Sequence, residues 1–454
     1  MEYTMRMPDV GTVDPTVLVL KWLVEIGQVV RRGDPLLEVE TDKSIMTVES
    51  PASGVLETIL APAGGEAASG QDIARFQVNE KAPLGPLPVP ARPQPKAAQQ
   101  APPASPEPAP SPAQGVSFFA RNRAARADRP EPQPEAEYTR EFLLGLYERM
   151  TLIREFEEGV KFLFLEGSMP GTIHQCQGQE ATAVGVCAAL AADDVITSTF
   201  RGHGHALAKG LSVEELLDEL YGASTGCCRG KGGSMHVGDM AKGMVPGIAI
   251  VGGGIPLAAG MALAIKLRKG RQVVVCFFGD GAVAEGAFHE GVNLAAIWDL
   301  PVVFVCENNL YGASTRVDQV MRNPTIADRA QAYGFRGETV DGNDVLAVFQ
   351  AARNAVRECR AGQGPVLLEL LTYRRTGHSR RDACHYQPSD EREAWMARDP
   401  IERLGRLLLE NGRVSAADLE AVTARHQARF QAAVETARRQ PLPTAADLTT
   451  DVLA

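Results

Sequence analysis

Residues 279–312 read GDGAVAEGAFHEGVNLAAIWDLPVVFVCENNLYG, and this stretch decides the fold. An apolar run at 273–278 leads into it, a second run at 302–306 lies inside it, and a helical pattern over 288–298 separates the two. Near-continuous apolar strands that alternate with helices are typical of a parallel sheet buried on both faces. The same alternation recurs nearer the C-terminus, in a helical pattern at 345–360 and an apolar run at 366–371. The sequence therefore predicts an α/β domain built on a parallel sheet.

Two polar residues follow the first two of these strands. Asp280 lies between glycines directly after the run at 273–278, and Asn309 follows the run at 302–306, one strand-helix-strand crossover later. Because ligands of open parallel sheets bind beyond the carboxyl ends of strands, we expect the two side chains to meet at one edge. Glycine lets backbone N–H groups approach an anion, and Mg²⁺ prefers oxygen ligands completed by phosphates. A Gly-Asp-Gly alone is ordinary turn chemistry, but together with the asparagine it predicts a phosphate and metal site.

The composition changes sharply on both sides of a proline-rich segment. Residues 82–114 contain 12 prolines in 33 positions, with Ala and Gln filling most of the rest. Such a segment builds no core and samples extended polyproline conformations. The 454 residues therefore divide into a small domain at 1–80, a Pro/Ala-rich linker at 81–137 and a large domain at 138–454. Within the linker, 117–129 carries two phenylalanines and four arginines, which suits either a solvated helix or a docking segment for a partner subunit.

Short β-rich runs bounded by Gly, Pro and Asp fill the small domain. They occupy 16–18, 36–40 and 44–49, and they predict a small all-β sandwich or flattened barrel. Lys43 lies between two of these runs, in the turn Glu-Thr-Asp-Lys-Ser at 40–44. A lysine at a hairpin tip is either a solubilising turn residue or an exposed attachment point for a cofactor.

Charge and hydropathy argue against two classes of partner. The formal net charge of −10, without any basic run, argues against a nucleic-acid surface. Residues 244–265 carry no charge, but Pro246, Pro256 and the glycines at 252–254 would break a lipid-exposed helix. We therefore expect a glycine loop leading into a buried helix, and no contact with a membrane. The eight cysteines include no C-x-x-C pair and the N-terminus has no apolar leader, so we expect a reduced, cytoplasmic protein.

The large domain resembles a known family on these residues. Residues 138–454, above all 279–312, are similar to the α subunits of the thiamine-diphosphate-dependent dehydrogenases that act on pyruvate, branched-chain 2-oxo acids and acetoin. The resemblance implies thiamine diphosphate and Mg²⁺ as cofactors. The residues that it assigns to them are Asp280, Asn309 and, through its carbonyl, Tyr311 for Mg²⁺, with Gly281 and Ala282 next to the diphosphate.

Three further motifs match the same family. The segments at 171–174 (GTIH) and 376–379 (TGHS) resemble its two histidine-bearing active-site loops, and 200–204 (FRGHG) resembles a cofactor-binding element. The resemblance implies that His174 and His378 are catalytic. It also implies that Arg201 meets the diphosphate, a task that suits guanidinium geometry.

Two positions depart from the family pattern. Phe200 stands where Tyr or His is common, so a polar contact to the cofactor is lost, and Ala249 stands where many members have glycine. Ala249 and Val251, in the run PGIAIVGGG, are the residues that the pattern brings to the aminopyrimidine ring. Of the remaining histidines, we interpret three as structural and leave three open: His289, His385 and His426, and then His203, His205 and His236.

The small domain resembles the lipoyl domains of acyltransferase components. This implies a lipoyl group on Lys43, whereas a biotin signature would bracket the lysine with methionines in place of Asp42 and Ser44. In the family that the large domain resembles, the glutamate that activates the cofactor comes from a separate β subunit. The resemblance therefore implies an α₂β₂ heterotetramer that works with a lipoyl acyltransferase core and dihydrolipoyl dehydrogenase.

An activity follows from the two resemblances together. The chain would be the α subunit of an enzyme that cleaves pyruvate or acetoin and reductively acetylates a lipoyl group, which feeds acetyl-CoA formation. The runs GTIH and ITSTFRGHGH favour the acetoin type, while the overall pattern also suits pyruvate. Two alternatives stay open, a branched-chain 2-oxo acid dehydrogenase α subunit and a non-catalytic lipoyl carrier whose large domain is a scaffold.

Overall fold

A computed structural model describes residues 2–8, 16–40, 45–68, 70–78, 138–165, 169, 171–379, 382 and 384–450. Lys43 and the segment 117–129 lie outside the described residues. The compact part of the chain is interrupted after Val78 and resumes at Tyr138. The domain boundaries expected at 80 and 137 stay predictions.

The small domain is a pair of antiparallel four-stranded sheets. Its strands are β1 (Glu2–Arg6), β2 (Thr16–Trp22), β3 (Val29–Val30), β4 (Pro35–Glu40), β5 (Ile45–Glu49), β6 (Gly54–Ile59), β7 (Glu66–Ala68) and β8 (Asp72–Val78). One sheet has the order β1-β8-β6-β3 and the other β5-β4-β2-β7. Because side chains alternate across a strand, Val17 and Val19 of β2 are buried while Leu18 and Leu20 between and after them are only partly buried. The two valines join Leu36 and Phe76 in an apolar core, so the predicted all-β domain is confirmed.

Strands and helices alternate in the large domain. Its strands are β9 (Val195–Thr197), β10 (Val274–Gly279), β11 (Val302–Asn308), β12 (Tyr311–Gly312), β13 (Thr315–Arg316), β14 (Arg336–Asp341) and β15 (Val366–Leu371). Its α-helices are α1 (Arg140–Leu165), α2 (Glu180–Cys187), α3 (His203–Lys209), α4 (Val213–Leu220), α5 (Gly254–Leu267), α6 (Gly286–Ile297), α7 (Val317–Val320), α8 (Arg329–Ala332), α9 (Val345–Arg360), α10 (Ser389–Met396), α11 (Pro400–Glu410) and α12 (Ala416–Ala437).

Five of these strands form one parallel sheet, in the order β14-β15-β11-β10-β9. Strands β10 and β11 are buried along almost their whole length, because helices such as α5 and α9 pack against the sheet. This explains their unbroken valine- and phenylalanine-rich sequences. The predicted parallel α/β domain is confirmed, with strand bounds within two residues of those expected.

Long helices pack outside the sheet, at 140–165 and between 400 and 437. Helix α1 contacts both α11 and α12, and the rings of Phe156 and Phe430 meet edge to face with centroids 5.8 Å apart. The chain turns between α11 and α12 at Gly412, which has a φ of 60°. Ser415 then caps α12 by accepting the N–H of Asp418.

Helix α5 follows the glycine loop as predicted, but the expectation that it is buried was wrong for one of its faces. Ile255, Ala258 and Ala259 pack inward, whereas Pro256 and Leu257 are exposed, Leu257 by 42%. An uncharged sequence therefore covers both a core-facing and an outward-facing side of this helix. Among the described residues, none of the helices combines the length and the apolar character that a membrane span needs.

Candidate active site

Four neighbouring strands of the parallel sheet end at the same edge, and a predicted site residue follows each of them. These residues are, in the order of strands β9, β10, β11 and β15, Arg201, Asp280, Asn309 and His378. Because parallel strands share one carboxyl edge, the residues gather there although 177 positions separate the first from the last. The edge is the candidate site.

Asp280 is a buried carboxylate that lacks an ion pair. It is 2% exposed, and within the described residues no lysine or arginine forms a salt bridge with it. Burial raises the pKa of Asp280 to about 6, and the charge of Arg374 and the backbone N–H of Asn309 only partly oppose the shift. A divalent cation beside this side chain would supply the missing positive charge.

Asn309 lies against Asp280 and is itself buried. Its Nδ2 donates to Gln179 Oε1 at 3.4 Å, and its Oδ1 accepts the N–H of Tyr311 at 3.3 Å. The amide oxygen and the carboxylate are the hard donors that Mg²⁺ takes in proteins. The chemistry of this donor set therefore fits the predicted metal.

The backbone after β10 is shaped for close approach. Residues 280–284 form a short 3₁₀ turn before α6, and Gly281 faces Gly312, so that a Cβ on Gly281 would lie 3.3 Å from the Cα of Gly312. Ala282 follows within the same turn and is 3% exposed. Small residues here leave backbone N–H groups near the strand end, an arrangement that suits a phosphate.

Arg201 is the opposite case, a buried cation without a carboxylate partner. It is 6% exposed and donates to the carbonyl oxygens of Gln175 and His378, the latter at 2.7 Å. It has no salt bridge among the described residues. Burial, followed by the neighbouring charge of Arg374, lowers the pKa of Arg201 to about 10. Such a side chain fits an anionic ligand, as the sequence predicts.

Three aromatic rings cluster beside Arg201. The centroids of His174 and Phe200 are 4.7 Å apart, those of His174 and His378 5.2 Å, and those of Phe200 and His378 5.5 Å, all in edge-to-face geometry. Burial, followed by the charge of Arg201, lowers the pKa of His174 to about 3 and that of His378 to about 4. Both imidazoles are therefore neutral near pH 7.

The tautomer of His378 is fixed by Arg374. Arg374 Nη1 lies 3.0 Å from His378 Nδ1, and a guanidinium only donates, so Nδ1 accepts and the ring proton is on Nε2. Arg374 is 1% exposed and also donates to Ala313 O at 2.9 Å and Tyr386 Oη at 3.0 Å. The backbone N–H of His378 donates to Asp382 Oδ2 at 2.6 Å. Sequence reasoning missed Arg374, although it lies four residues before the predicted histidine.

Two histidines whose roles were left open are parts of buried polar networks. His203 Nδ1 lies 3.3 Å from Glu157 Oε2, and its Nε2 lies 3.0 Å from Ser234 Oγ. His205 Nε2 lies 3.3 Å from Glu307 Oε2. Although burial acts to raise them, the paired histidines hold the pKa values of Glu157 and Glu307 below their usual range. These carboxylates, also missed from the sequence, fix the segments that carry Arg201 and Asn309.

The remaining predicted residues lie near the same edge. The segment 244–248 runs beside β9, with Thr199 bridged to Ile248. Ala249 follows directly and is half-buried, and Val251 is 46% exposed. His236 Nδ1 lies 2.7 Å from Gly247 O and so belongs to this loop.

Glu219, Cys227 and Cys228 bring potential ligand atoms within 4.8 Å of one another. The carboxylate is already occupied, because the backbone N–H groups of four loop residues donate to it at 2.7–3.0 Å: Cys228, Gly230, Gly232 and Gly233. A carboxylate has about four lone-pair sites, so none is left for a metal. Glu219 therefore anchors the glycine-rich loop, and both thiols are free.

Comparison with known proteins agrees with this geometry. Residues 148–446 match the family model described as "Dehydrogenase E1 component", and residues 3–76 match the model described as "Biotin-requiring enzyme". The α subunit of acetoin:2,6-dichlorophenolindophenol oxidoreductase from Bacillus subtilis is 48% identical over 315 residues, which cover 69% of this chain and 94% of the relative. The corresponding subunit from Cupriavidus necator is 42% identical, with 69% and 94% covered.

A third relative carries a different name. The pyruvate dehydrogenase E1 component subunit alpha of Porphyra purpurea is 40% identical over 317 residues, which cover 68% of this chain and 92% of the relative. The chain therefore belongs to the dehydrogenase E1 component family, whose oxidoreductases use thiamine diphosphate, and it joins to that enzyme domain a lipoyl domain built to carry a lipoyl group.

Proposed function

We propose that this chain is the α subunit of an enzyme that binds thiamine diphosphate and Mg²⁺ at the carboxyl edge of its sheet, cleaves acetoin or pyruvate, and passes the two-carbon unit to a lipoyl group. The observation that carries the proposal is a pair of buried, uncompensated charges of opposite sign at one sheet edge, Asp280 and Arg201. A diphosphate clasped by a divalent cation has the charges that would satisfy both. When bound, thiamine diphosphate supplies the carbanion chemistry that the side chains lack.

The metal and phosphate roles follow the donor chemistry. Asp280 and Asn309 would bind Mg²⁺ through side-chain oxygens and Tyr311 through its backbone carbonyl, since Mg²⁺ takes oxygen donors. The backbone of Gly281 and Ala282 would approach the diphosphate at the strand end, and Arg201 would neutralise its charge. Each of these roles is supported by burial at the common edge.

The two histidines would act on the substrate as neutral groups. With its proton on Nε2, His378 can donate to a developing oxyanion, and His174 can accept or return a proton because its Nδ1 has no partner among the described residues. The ring of Phe200 packs edge to face against both imidazoles. Ala249 and Val251 would contact the aminopyrimidine ring from the half-open loop.

A β subunit would complete the site. Ile250 is 77% exposed, Val251 46% and Leu257 42%, which gives an apolar surface beside the predicted cofactor residues. Large exposed apolar surface of this kind marks a protein interface. The α₂β₂ assembly, the acyltransferase core and dihydrolipoyl dehydrogenase as partners, the lipoyl group on Lys43 and the cytoplasmic location all remain predictions from the sequence.

Acetoin and pyruvate are the two substrates that the proposal considers. Of the three relatives described above, the two with the higher identity are named for acetoin and the third for pyruvate, and the runs GTIH and ITSTFRGHGH favour acetoin. Among the described residues of the site, no feature favours a branched-chain substrate. A non-catalytic carrier would have no reason to keep Arg374 fixed on His378. Rates of dye reduction with acetoin, pyruvate and a branched-chain 2-oxo acid, measured on the co-purified α–β complex, will rank these substrates.

Asp280→Asn tests the proposal directly. It keeps the shape of the side chain but removes the charge, so we expect Mg²⁺-dependent binding of thiamine diphosphate to weaken by more than about 100-fold, measured by calorimetry on the α–β complex. The matched control is Asp193→Asn, an exposed aspartate ahead of β9 at the opposite edge of the sheet, which will bind normally. Unchanged affinity in Asp280→Asn would refute the site.

A further inference from the structure

The last turns of α1 carry an aromatic ring that the core of the large domain does not cover. Phe162 is 5% exposed. Its neighbours Leu163 and Phe164 belong to the apolar core cluster of the large domain, and Phe162 does not. The side chain of Arg32 covers it, with the guanidinium carbon 3.7 Å from the ring centroid. Arg32 belongs to the small domain, so the burial of this ring is an interdomain contact.

Two further contacts surround this ring. Gly33 lies so close that a Cβ added there would meet Phe162 Cζ at 3.8 Å. Lys161 Nζ forms a salt bridge with Glu49 Oε2 at 2.9 Å, and both side chains are partly buried, being 18% and 31% exposed. A stacked guanidinium beside a half-buried ion pair of defined polarity is a specific contact.

The three residues of the small domain belong to one structural unit. Arg32 and Gly33 precede β4, and Glu49 is the last residue of β5. The two strands pair with Pro35 opposite Glu49, and Gly33 N donates to Ser50 O at 2.8 Å. We call Arg32, Gly33 and Glu49 the hairpin base, and Lys161 with Phe162 the helix end.

The hairpin base makes the contact with the helix end, and the opposite ends of strands β4 and β5 take no part in it. Strands β4 and β5 run from the base to Glu40 and Ile45, the residues that flank the segment 41–44 with Lys43. At about 3.4 Å per residue, β4 covers about 20 Å from the base to Glu40. A contact through the base therefore does not use the strand ends next to the predicted lipoyl lysine.

The helix end is also tied to the active site. Glu157, one turn earlier in α1, accepts the N–H of Cys176 at 3.1 Å and pairs with His203. The chain runs from α1 to His174, so the residues that bear the docking contact and those that bear the ring cluster share one segment.

We propose that the helix end is a docking site for the lipoyl domain of the same chain, which binds through its hairpin base. Two contacts identify the lipoyl domain as the partner: Glu49 is opposite in charge to Lys161, and the side chain of Arg32 covers Phe162. The contact holds the small domain beside the E1 domain and does not use Glu40 and Ile45, the strand ends that flank the segment with Lys43. This inference rests on the lipoyl-domain assignment, and it does not depend on which substrate or metal the active site takes.

Line widths in nuclear magnetic resonance spectra of the α–β complex, with the α chain isotope-labelled, test the proposal. A docked lipoyl domain tumbles with the whole assembly and gives broad signals, whereas a released domain on its tether gives sharp ones. We expect broad lipoyl-domain signals in the wild type. Lys161→Glu and Phe162→Ala should each lower the ratio of docked to released domain about tenfold and bring out sharp signals.

A charge exchange provides the decisive comparison. Glu49→Lys combined with Lys161→Glu restores the ion pair with reversed polarity, so the signals should broaden again. Lys21→Glu breaks the Lys21–Glu38 pair elsewhere on the same domain, and it should leave them broad. Sharp wild-type signals, or an exchange variant as sharp as Lys161→Glu alone, would overturn the proposal. Lys161 is partly exposed, so its variant tests docking even where Phe162→Ala disturbs α1.

Discussion

At the scale of single residues, the state of His174 links the site to the stability of the fold. Burial and the charge of Arg201 lower its pKa to about 3 from the usual 6.5. In the unfolded chain the same imidazole has its usual pKa, so the unfolded state takes up a proton first as the pH falls below about 6.5. The depressed pKa therefore has no effect on stability above that pH, and it destabilises the folded state increasingly on acidification.

His174→Gln removes this titration. Between pH 7 and pH 5, we expect the wild type to lose about 1 kcal/mol more unfolding free energy than the variant, a value that allows for the partial exposure of the ring. Denaturant unfolding of both proteins at the two pH values measures the difference. Parallel losses in the two proteins would mean that the folded pKa of His174 lies near 6.5.

Site residues that follow a buried strand could be predicted from the sequence, whereas those held by tertiary contacts could not. Asp280 and Asn309 were predictable because each follows a recognisable buried strand, and parallel strands bring their ends together. Glu307 binds Thr182, 125 positions away, and Glu157 binds His203, 46 positions away. Such pairings follow from tertiary packing, for which a single sequence has no periodic signal. Arg374 was missed because an arginine in a TYRR run is usually a solvated residue.

At the scale of elements, the close crossing of α1 and α12 depends on a glycine in α1. A Cβ on Gly159 would lie 2.2 Å from Phe430 Cε1, whereas a Cβ on Gly145, in the same helix, would meet nothing within 4 Å. Gly159→Ala forces Phe430 to move within a packed core, so we expect it to destabilise the fold by about 1–3 kcal/mol. Gly145→Ala should stabilise it by about 1 kcal/mol through helix propensity.

Melting temperatures of the two variants measure these effects. Gly159→Ala should lower the melting temperature through packing, and Gly145→Ala should raise it through helix propensity. If both alanines raised the melting temperature, α12 would lie farther from α1 than the contact with Phe430 implies. No pattern in the sequence marked Gly159 as the contact point. Likewise, the short runs in the small domain gave the all-β class, whereas β3 and β7, with two and three residues, are too brief for an alternation to identify.

At the scale of the whole molecule, the chain joins a lipoyl domain to the enzyme that would load it. Since 315 aligned residues make up 94% of the Bacillus subtilis relative, that relative has no room for a further domain like that at 3–76. A linker as long as the segment between Val78 and Tyr138 gives the lipoyl domain an effective concentration on the order of 1 mM at the large domain of the same chain. The docking contact would add a preferred resting place to that local concentration.

Deleting residues 86–112 from the linker tests whether the tether serves acyl transfer. We expect acetylation of the chain's own lipoyl group, followed by mass spectrometry of the α–β complex with acetoin or pyruvate, to slow severalfold, because a shorter tether limits the positions that Lys43 reaches. Dye reduction, which needs no lipoyl domain, should keep its rate.

A Gly/Ser segment as long as the deleted one should restore acetylation, because the reach of the linker and not its composition is the requirement. A Lys43→Arg chain supplied with free lipoyl domain should need about 1 mM of it to match the wild type. Equal acetylation rates with the full and the shortened linker would show that lipoyl groups are loaded from other chains, and that the fusion serves another purpose.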